Sequence, residues 1–441
     1  MIGHDAIDWW AFGGHEGSEQ VMISRYALFL REFLKKVWVR VVSFAILAVL
    51  AAVLARLLSP YLPPELALQT GSEAVSQLLG ILTSSMLAVT TFSLSIAVSA
   101  FAAAAGSATP RATVLLQQDR TTQNVLATFL GAFLFGLVGL VALHAEFYDA
   151  SGKVVVFLFT IVVIGLVVVA LIRWIGHLMQ FGRMGDTLDR VERAASDALM
   201  RRLENPFLGG RPLPNAPPPQ GTCIAAEDTG YIQNIDMKAL QSCAESLEVE
   251  VFLRCLPGNF VTSGRPLLGA TAIDLDDEQM QKLRRAITIG SRRTFEDDPR
   301  FGLIVLTEIA SRALSPAVND PGTAIDILGR HARILLRWRT REDAEVRFDR
   351  VHVPPILVQD MVKDAFRPIA RDGAAFLEVQ VRLQKVLSAL CGAAPDLFAP
   401  ACTEMSQEAI ARANAAPLIS AELVALRSAA PDLHNIDPPL T

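Results

Sequence analysis

The sequence predicts an α-helical integral membrane protein with four transmembrane helices, followed by a C-terminal cytoplasmic α+β domain (a small β-module and then helices). Three observations predict it. Hydrophobic residues make up 51% of the 441 and charged residues only 19%, against about a quarter charged in ordinary soluble domains. The apolar excess gathers in four stretches before residue 180, each close to the length of about 20 residues that crosses a bilayer. Charge gathers after that point: residues 1–180 carry ten basic and ten acidic side chains, and the remaining 261 carry 30 and 35. This composition excludes a disordered chain, a fibrous chain and a disulfide scaffold. The acidic second half argues against nucleic acid as a partner, because phosphate binding needs a basic surface.

Residues 1–24 are a polar segment without the basic start and small-residue cleavage site of a signal peptide. The membrane domain then runs over 25–175. It opens with an amphipathic helix over 25–38, where Tyr26, Phe29, Leu30, Phe33, Leu34, Val37 and Trp38 follow helical spacing. Arg25, Arg31, Lys35 and Lys36 lie elsewhere on the wheel, a pattern that suits the surface of an anionic leaflet. The first span is Val37 to Leu58, with Arg40 and Arg56 placed to reach the interface. The second lies between Glu73 and Arg111, the third between Arg120 and Glu146, and the fourth between Lys153 and Arg173. Basic residues flank the start of the first span, the junction of the second and third, and the end of the fourth. The positive-inside rule therefore places both termini in the cytoplasm.

The second span is polar along one edge. Ser84, Ala88, Thr91, Ser95 and Ser99 recur at spacings of four, three, four and four, which aligns them on one helix face. Ser84, Thr91, Ser95 and Ser99 are the candidate pore-lining residues. The alternative is close helix packing, since small residues let backbones approach and hydroxyls bond back to their own helix. A homo-oligomer is expected, and packing against symmetry mates would serve either use. No Asp, Glu, Lys or Arg lies inside the four apolar stretches between their flanking charges, which argues against a carrier coupled to protons or ions.

Residues 176–221 read as a connecting helix and a Pro-rich linker. Leu188, Val191, Ala195, Leu199 and Leu203 form its apolar face, with Arg190, Glu192, Arg193, Arg201 and Arg202 expected on the others. Residues 222–272 read as a β-rich module, from the alternation at 231–235 and 249–253 and the turns at Pro257-Gly258 and Ser263-Gly264. The run Pro257 to Leu267 resembles the hairpin of small barrel-sandwich domains without their carrier lysine, so it reads as scaffold. A helical domain follows over 273–390, opened by Asp276, Asp277 and Glu278 in a first turn where carboxylates meet free amides. Residues 391–441 are an Ala- and Pro-rich tail of short helices and coil.

The densest motif runs from Arg293 to Ala324. Arg293, Asp298, Ser315, Asn319 and Asp320 are the candidate ligand-binding residues, a set able to hold a small ion. Helix capping is the competing account: Ser315-Pro316 ends one helix, and Asp320 caps the next with Pro321 in its first position.

The chain resembles the bacterial predicted membrane proteins grouped as domain of unknown function 2254. The resemblance rests on Thr109-Pro110-Arg111, on Gly230 to Asp236, on Pro257 to Val261 through Gly264, and above all on Ala313 to Pro321 with Thr323-Ala324. Thr109 stands where the family usually has serine, and Asn259 where it usually has aspartate. The resemblance implies a multi-pass protein of the bacterial cytoplasmic (inner) membrane and implies no activity.

Five cysteines fall after the last apolar stretch and none sits in a metal-ligand pattern, so they read as reduced thiols. The seven histidines are scattered. No nucleotide, zinc-hydrolase or nucleophile-elbow motif occurs. The sequence therefore names no catalytic residue, metal ligand or cofactor, and an enzyme is not expected. Its expected partners are the bilayer, further copies of itself and a small ion or ligand. The expected function is an oligomeric channel or pore gated by the cytoplasmic domain. The alternative is a membrane-anchored regulatory or ligand-sensing protein without transport activity.

Overall fold

A computed structural model describes residues 37–61, 72–117, 119–147, 149, 151–179, 181–214, 221–338 and 345–431. The amphipathic helix expected over 25–38 lies outside them except for its last two residues. The chain divides into two units: residues 1–103 with 117–182, and residues 104–116 with 183–441.

The helices begin with α1 (Val37–Leu58), α2 (Ser72–Ser107), the short α3 (Pro110–Gln117), α4 (Arg120–His144) and α5 (Gly152–Leu178). All but α3 are long and apolar enough to cross a membrane. In the first unit α4 is the helix on which α1 and α2 close. A Cβ on Gly131 would fall 2.5 Å from the Phe44 ring of α1, and one on Gly136 would fall 2.3 Å from the Thr83 hydroxyl of α2. Glycine at these places lets the helices approach. The core between them holds Ala51 and Ala55, Leu79 and Leu82, Phe129 and Phe135, and Val163 and Trp174.

The second unit takes in the connection between α2 and α4. Ala108 and Ala112 join a helical core with Leu188, Val191, Ala195 and Leu199 of α6 (Met184–Glu204). Its strands and helices then follow in order. They are β1 (Gly210–Pro212), β2 (Thr222–Ala225), β3 (Gly230–Ile235), α7 (Met237–Ser246), β4 (Val251–Leu253), β5 (Phe260–Val261) and β6 (Pro266–Ala270). Next come α8 (Asp277–Arg285), β7 (Ile287–Gly290), α9 (Phe301–Ala313), α10 (Pro321–Leu335) and β8 (Phe348–Val353). The chain closes with α11 (Val358–Asp372), α12 (Leu377–Ala393), α13 (Pro395–Asn414) and α14 (Ser420–Ser428). One sheet has the order β1-β8-β4-β6-β2 and the other β5-β3-β7. β8 pairs in parallel with both β1 and β4, and the remaining pairs are antiparallel.

Several local expectations change. The run Pro257–Leu267 is not a hairpin: β5 pairs with β3 and β6 with β2 and β4. Crossing between the sheets lets Val261, Leu267 and Leu268 enter one core. Strand structure also extends past 222–272, because β1, β7 and β8 complete the two sheets. The stretch after residue 391 supplies α13, whose Phe398, Cys402, Met405 and Ala409 are buried at helical spacing. Alanine hides that face in the sequence, since its small side chain marks neither face strongly.

Candidate functional site

In α2 the two faces are chemically opposite. Leu79, Leu82, Met86, Ser93 and Ala97 are buried, while Ser84, Ala88, Thr91, Ser95 and Ser99 are exposed on the other side. Exposed Leu87, Phe92 and Leu94 flank the stripe. Within the single chain only 17% of the most apolar stretch of α2 is buried. Ser84 donates to the Gly80 carbonyl (2.9 Å), Thr91 to that of Ala88 (2.9 Å) and Ser95 to that of Thr91 (3.0 Å). These back-bonds satisfy the hydroxyl donors and leave their lone pairs outward.

A second polar feature of the first unit went unsingled by sequence reasoning. Asp119 caps α4, accepting from the Thr122 amide and hydroxyl, each at 2.7 Å. His177 Nε2 lies 3.0 Å from Asp119 Oδ2, and its ring packs between Trp174 and Phe181. Beside them is a cavity of about 540 Å³, lined by Thr121, Asn124 and Thr128 of α4, Arg173 and His177 of α5, and Phe44 of α1. The signal was present as spacing: 121, 124 and 128 share one face, as do 173 and 177. It was masked because each residue sits at the edge of a stretch read for apolarity alone.

The five candidate ligand residues of the second unit fall into two groups. Arg293 and Asp298 meet: Arg293 Nε and Nη2 donate to Asp298 Oδ2 at 2.8 and 2.6 Å. The other oxygen of Asp298 accepts from the Arg300 and Phe301 amides (3.1 and 3.2 Å) at the start of α9. Gly258, at φ +92°, packs against this pair; a Cβ there would lie 2.1 Å from Asp298 Oδ2. The Pro257-Gly258-Asn259 turn is thus held by backbone geometry, and the Asn259 side chain accepts from the Leu256 amide within the turn (2.8 Å).

Ser315, Asn319 and Asp320 lie at the junction of α9 and α10. The Ser315 hydroxyl donates to the Arg312 carbonyl (2.7 Å). Asn319 adopts φ +52°, a conformation asparagine tolerates. Asp320 caps α10, accepting from the Thr323 amide (3.1 Å) and hydroxyl (2.5 Å). The hydroxyl bond from Thr323, then its amide, holds the Asp320 carboxyl below the ordinary carboxylate range. Among the described residues no hydrogen bond or ion pair joins this junction to Arg293 and Asp298, and no group of three His, Cys, Asp or Glu could hold a metal.

Arg202, expected on a polar face of α6, is instead 6% exposed. It follows Ala195 and Leu199 on the buried face, at spacings of four and three. Its Nη2 has no hydrogen-bond partner among the described residues. Burial pulls its pKa down to about 10, against the charges of nearby Asp297 and Asp298. Both carboxylates are engaged elsewhere, Asp298 by Arg293 and Asp297 by the Asn234 side chain (2.9 Å).

The model of a family described as predicted membrane protein, DUF2254, matches residues 35–389. The chain belongs to the DUF2254 family. Its relatives include uncharacterized proteins of Mycobacterium bovis and of two strains of Mycobacterium tuberculosis, each 31% identical over 229 residues. Each match covers 48% of this chain and 42% of the relative, so the chain spans less than half the length of the curated relatives it matches. No solved structure matches it. The DUF2254 match takes in all four apolar helices and both sheets. Its description names a membrane protein and no activity.

Proposed function

We propose that this DUF2254 protein assembles as a homo-oligomer in the bacterial inner membrane and forms a pore lined by α2. The observation that carries the reading is the exposed Ser84, Thr91, Ser95 and Ser99 stripe, on the face of α2 opposite the one packed in its own unit. Such a face meets lipid, another copy or water. Lipid is the poorest match, because the Ser99 hydroxyl makes no hydrogen bond among the described residues and polar groups in hydrocarbon carry a cost. A ring of copies with α2 innermost gives the stripe water and the flanking leucines a neighbour. The positive flanks support an orientation with both termini and the second unit in the cytoplasm. α2 runs on past the stripe to Ser107, and gating by the second unit completes the proposal.

Reconstitution of the purified chain in planar bilayers tests this. Stepwise conductance is expected, with a sharp loss in the double variant T91L/S95L. A correctly inserted oligomer that is electrically silent would overturn it. The second reading, a membrane-anchored ligand sensor, is favoured by the cavities beside Arg202.

A further inference from the structure

We propose that the second unit binds a small organic monocarboxylate, its carboxylate on Arg202 and its apolar body in the adjoining cavity. This inference stands apart from the pore, since every residue it uses lies in the second unit. The cavity measures about 190 Å³ and is walled by Phe207, Trp338, Ile356, Val358 and Leu397, with Arg202 as its charged group. An apolar cavity of about 150 Å³ accommodates a benzene ring, so this one takes a single ring or a short branched chain together with its headgroup.

The chemistry of the wall selects the ligand. Arg202 is buried and its Nη2 has no hydrogen-bond partner among the described residues, while Asp297 and Asp298 reach it through charge alone; a buried donor left unpaired is costly. Arg202 also lines a second cavity of about 210 Å³, where the other cations and Asn234 are engaged. Arg201 donates to the Glu296 carbonyl (3.0 Å), Arg347 to the Asn205 side chain, and Asn234 to Asp297. Among the cations lining this cavity, Arg202 is the one with a buried donor that has no hydrogen-bond partner among the described residues. One guanidinium balances one negative charge, and its planar fork matches a carboxylate. A phosphate dianion would carry an uncompensated charge into an apolar wall. A neutral ligand would leave Arg202 unanswered.

Titration calorimetry on the full chain in detergent provides the test, with benzoate and 4-methylpentanoate as probes and benzyl alcohol as the neutral match to benzoate. Both carboxylates should bind saturably at one per chain. Benzyl alcohol should bind roughly 10- to 100-fold more weakly, the factor expected for charge-assisted hydrogen bonds. Arg202→Met should lose the same factor for benzoate while melting no lower than the wild type. Ile356→Trp leaves the guanidinium in place and fills the cavity, so it should abolish binding even if Arg202→Met fails to fold. The proposal is overturned if neither carboxylate binds the wild type, if either variant binds with wild-type affinity, or if inorganic phosphate displaces benzoate.

Discussion

Gly258 carries a specific demand: a left-handed backbone angle and no Cβ, because the Arg293–Asp298 pair occupies that space. Gly258→Ala should cost ~1–3 kcal/mol from backbone strain alone, with displacement of the buried pair in addition. A denaturant midpoint well below that of Gly264→Ala would confirm it. Gly264 also has positive φ but open space around it, so it isolates the contact. His331 makes a second demand, visible through pH. Burial pulls its pKa down to about 4 from an ordinary 6.5, opposed by a hydrogen bond with the Leu303 carbonyl. Between these values the unfolded chain binds a proton that the folded chain refuses. Stability therefore rises with pH across this window and is lost as pH falls from 6.5 toward 4. The full loss is roughly 3 kcal/mol. Denaturant titrations at pH 7 and pH 5 should show the wild type losing roughly 2 kcal/mol more than His331→Met; equal losses would contradict the assignment. Gly258 was legible in the sequence as a turn. Arg202 was not, because an arginine near a helix end is usually solvated, and only the packed neighbours reveal that its face is buried.

The packing of α6 on α10 depends on a clamp of charges. Arg330 reaches Asp189 and Glu192 of α6 and Asp326 of its own helix, at 2.7, 2.7 and 2.8 Å, and Arg333 binds Glu192 through Nε and Nη2. Burial works against the Glu192 carboxylate, but the hydrogen bond and charge of Arg333, followed by Arg330, outweigh it and hold its pKa low. That stability is present above the ordinary carboxylate range and is lost as pH falls through the depressed value. Glu192→Gln should destabilise by roughly 1–3 kcal/mol, since two guanidinium groups lose a charged acceptor. An unchanged midpoint would show that the clamp contributes nothing. At this scale the sequence reads well where periodicity is strong. The four apolar stretches, the Asp276 capping box and the Asp320 cap all appear as helix signals. It reads poorly where pairing is distant. β8 joins β1 and β4 across more than ninety residues of sequence, and nothing in Phe348–Val353 marks a parallel strand between them.

Across the whole chain the cysteines report which surfaces meet water. Cys223 is exposed, while Cys255, Cys391 and Cys402 are buried. Burial pushes the Cys255 thiol up to about 12, and its sulfur donates to the Leu267 carbonyl. A water-soluble maleimide should modify Cys223 in the folded protein and spare Cys255 and Cys402 until denaturant is added. Labelling of those two in the native state would contradict the packing of the second unit. In intact cells an impermeant maleimide should leave Cys223 unmodified until lysis, in keeping with the orientation proposed. The family and its four apolar helices were legible because both rest on local residue patterns. The cavities of the two units were not, because their walls come from segments far apart in sequence.

In the pore proposed above, the α2 stripe faces water. Ser84, Thr91, Ser95 and Ser99 would be replaced singly by cysteine in a background lacking the five native cysteines, with Leu94→Cys as the flanking control. Reaction with a small water-soluble thiol reagent would then be followed in oriented vesicles. Labelling is expected at the four stripe positions, with protection at 94. Uniform protection along the stripe, in an inserted and oligomeric protein, would contradict it and leave Ser84 to Ser99 as a helix-packing surface.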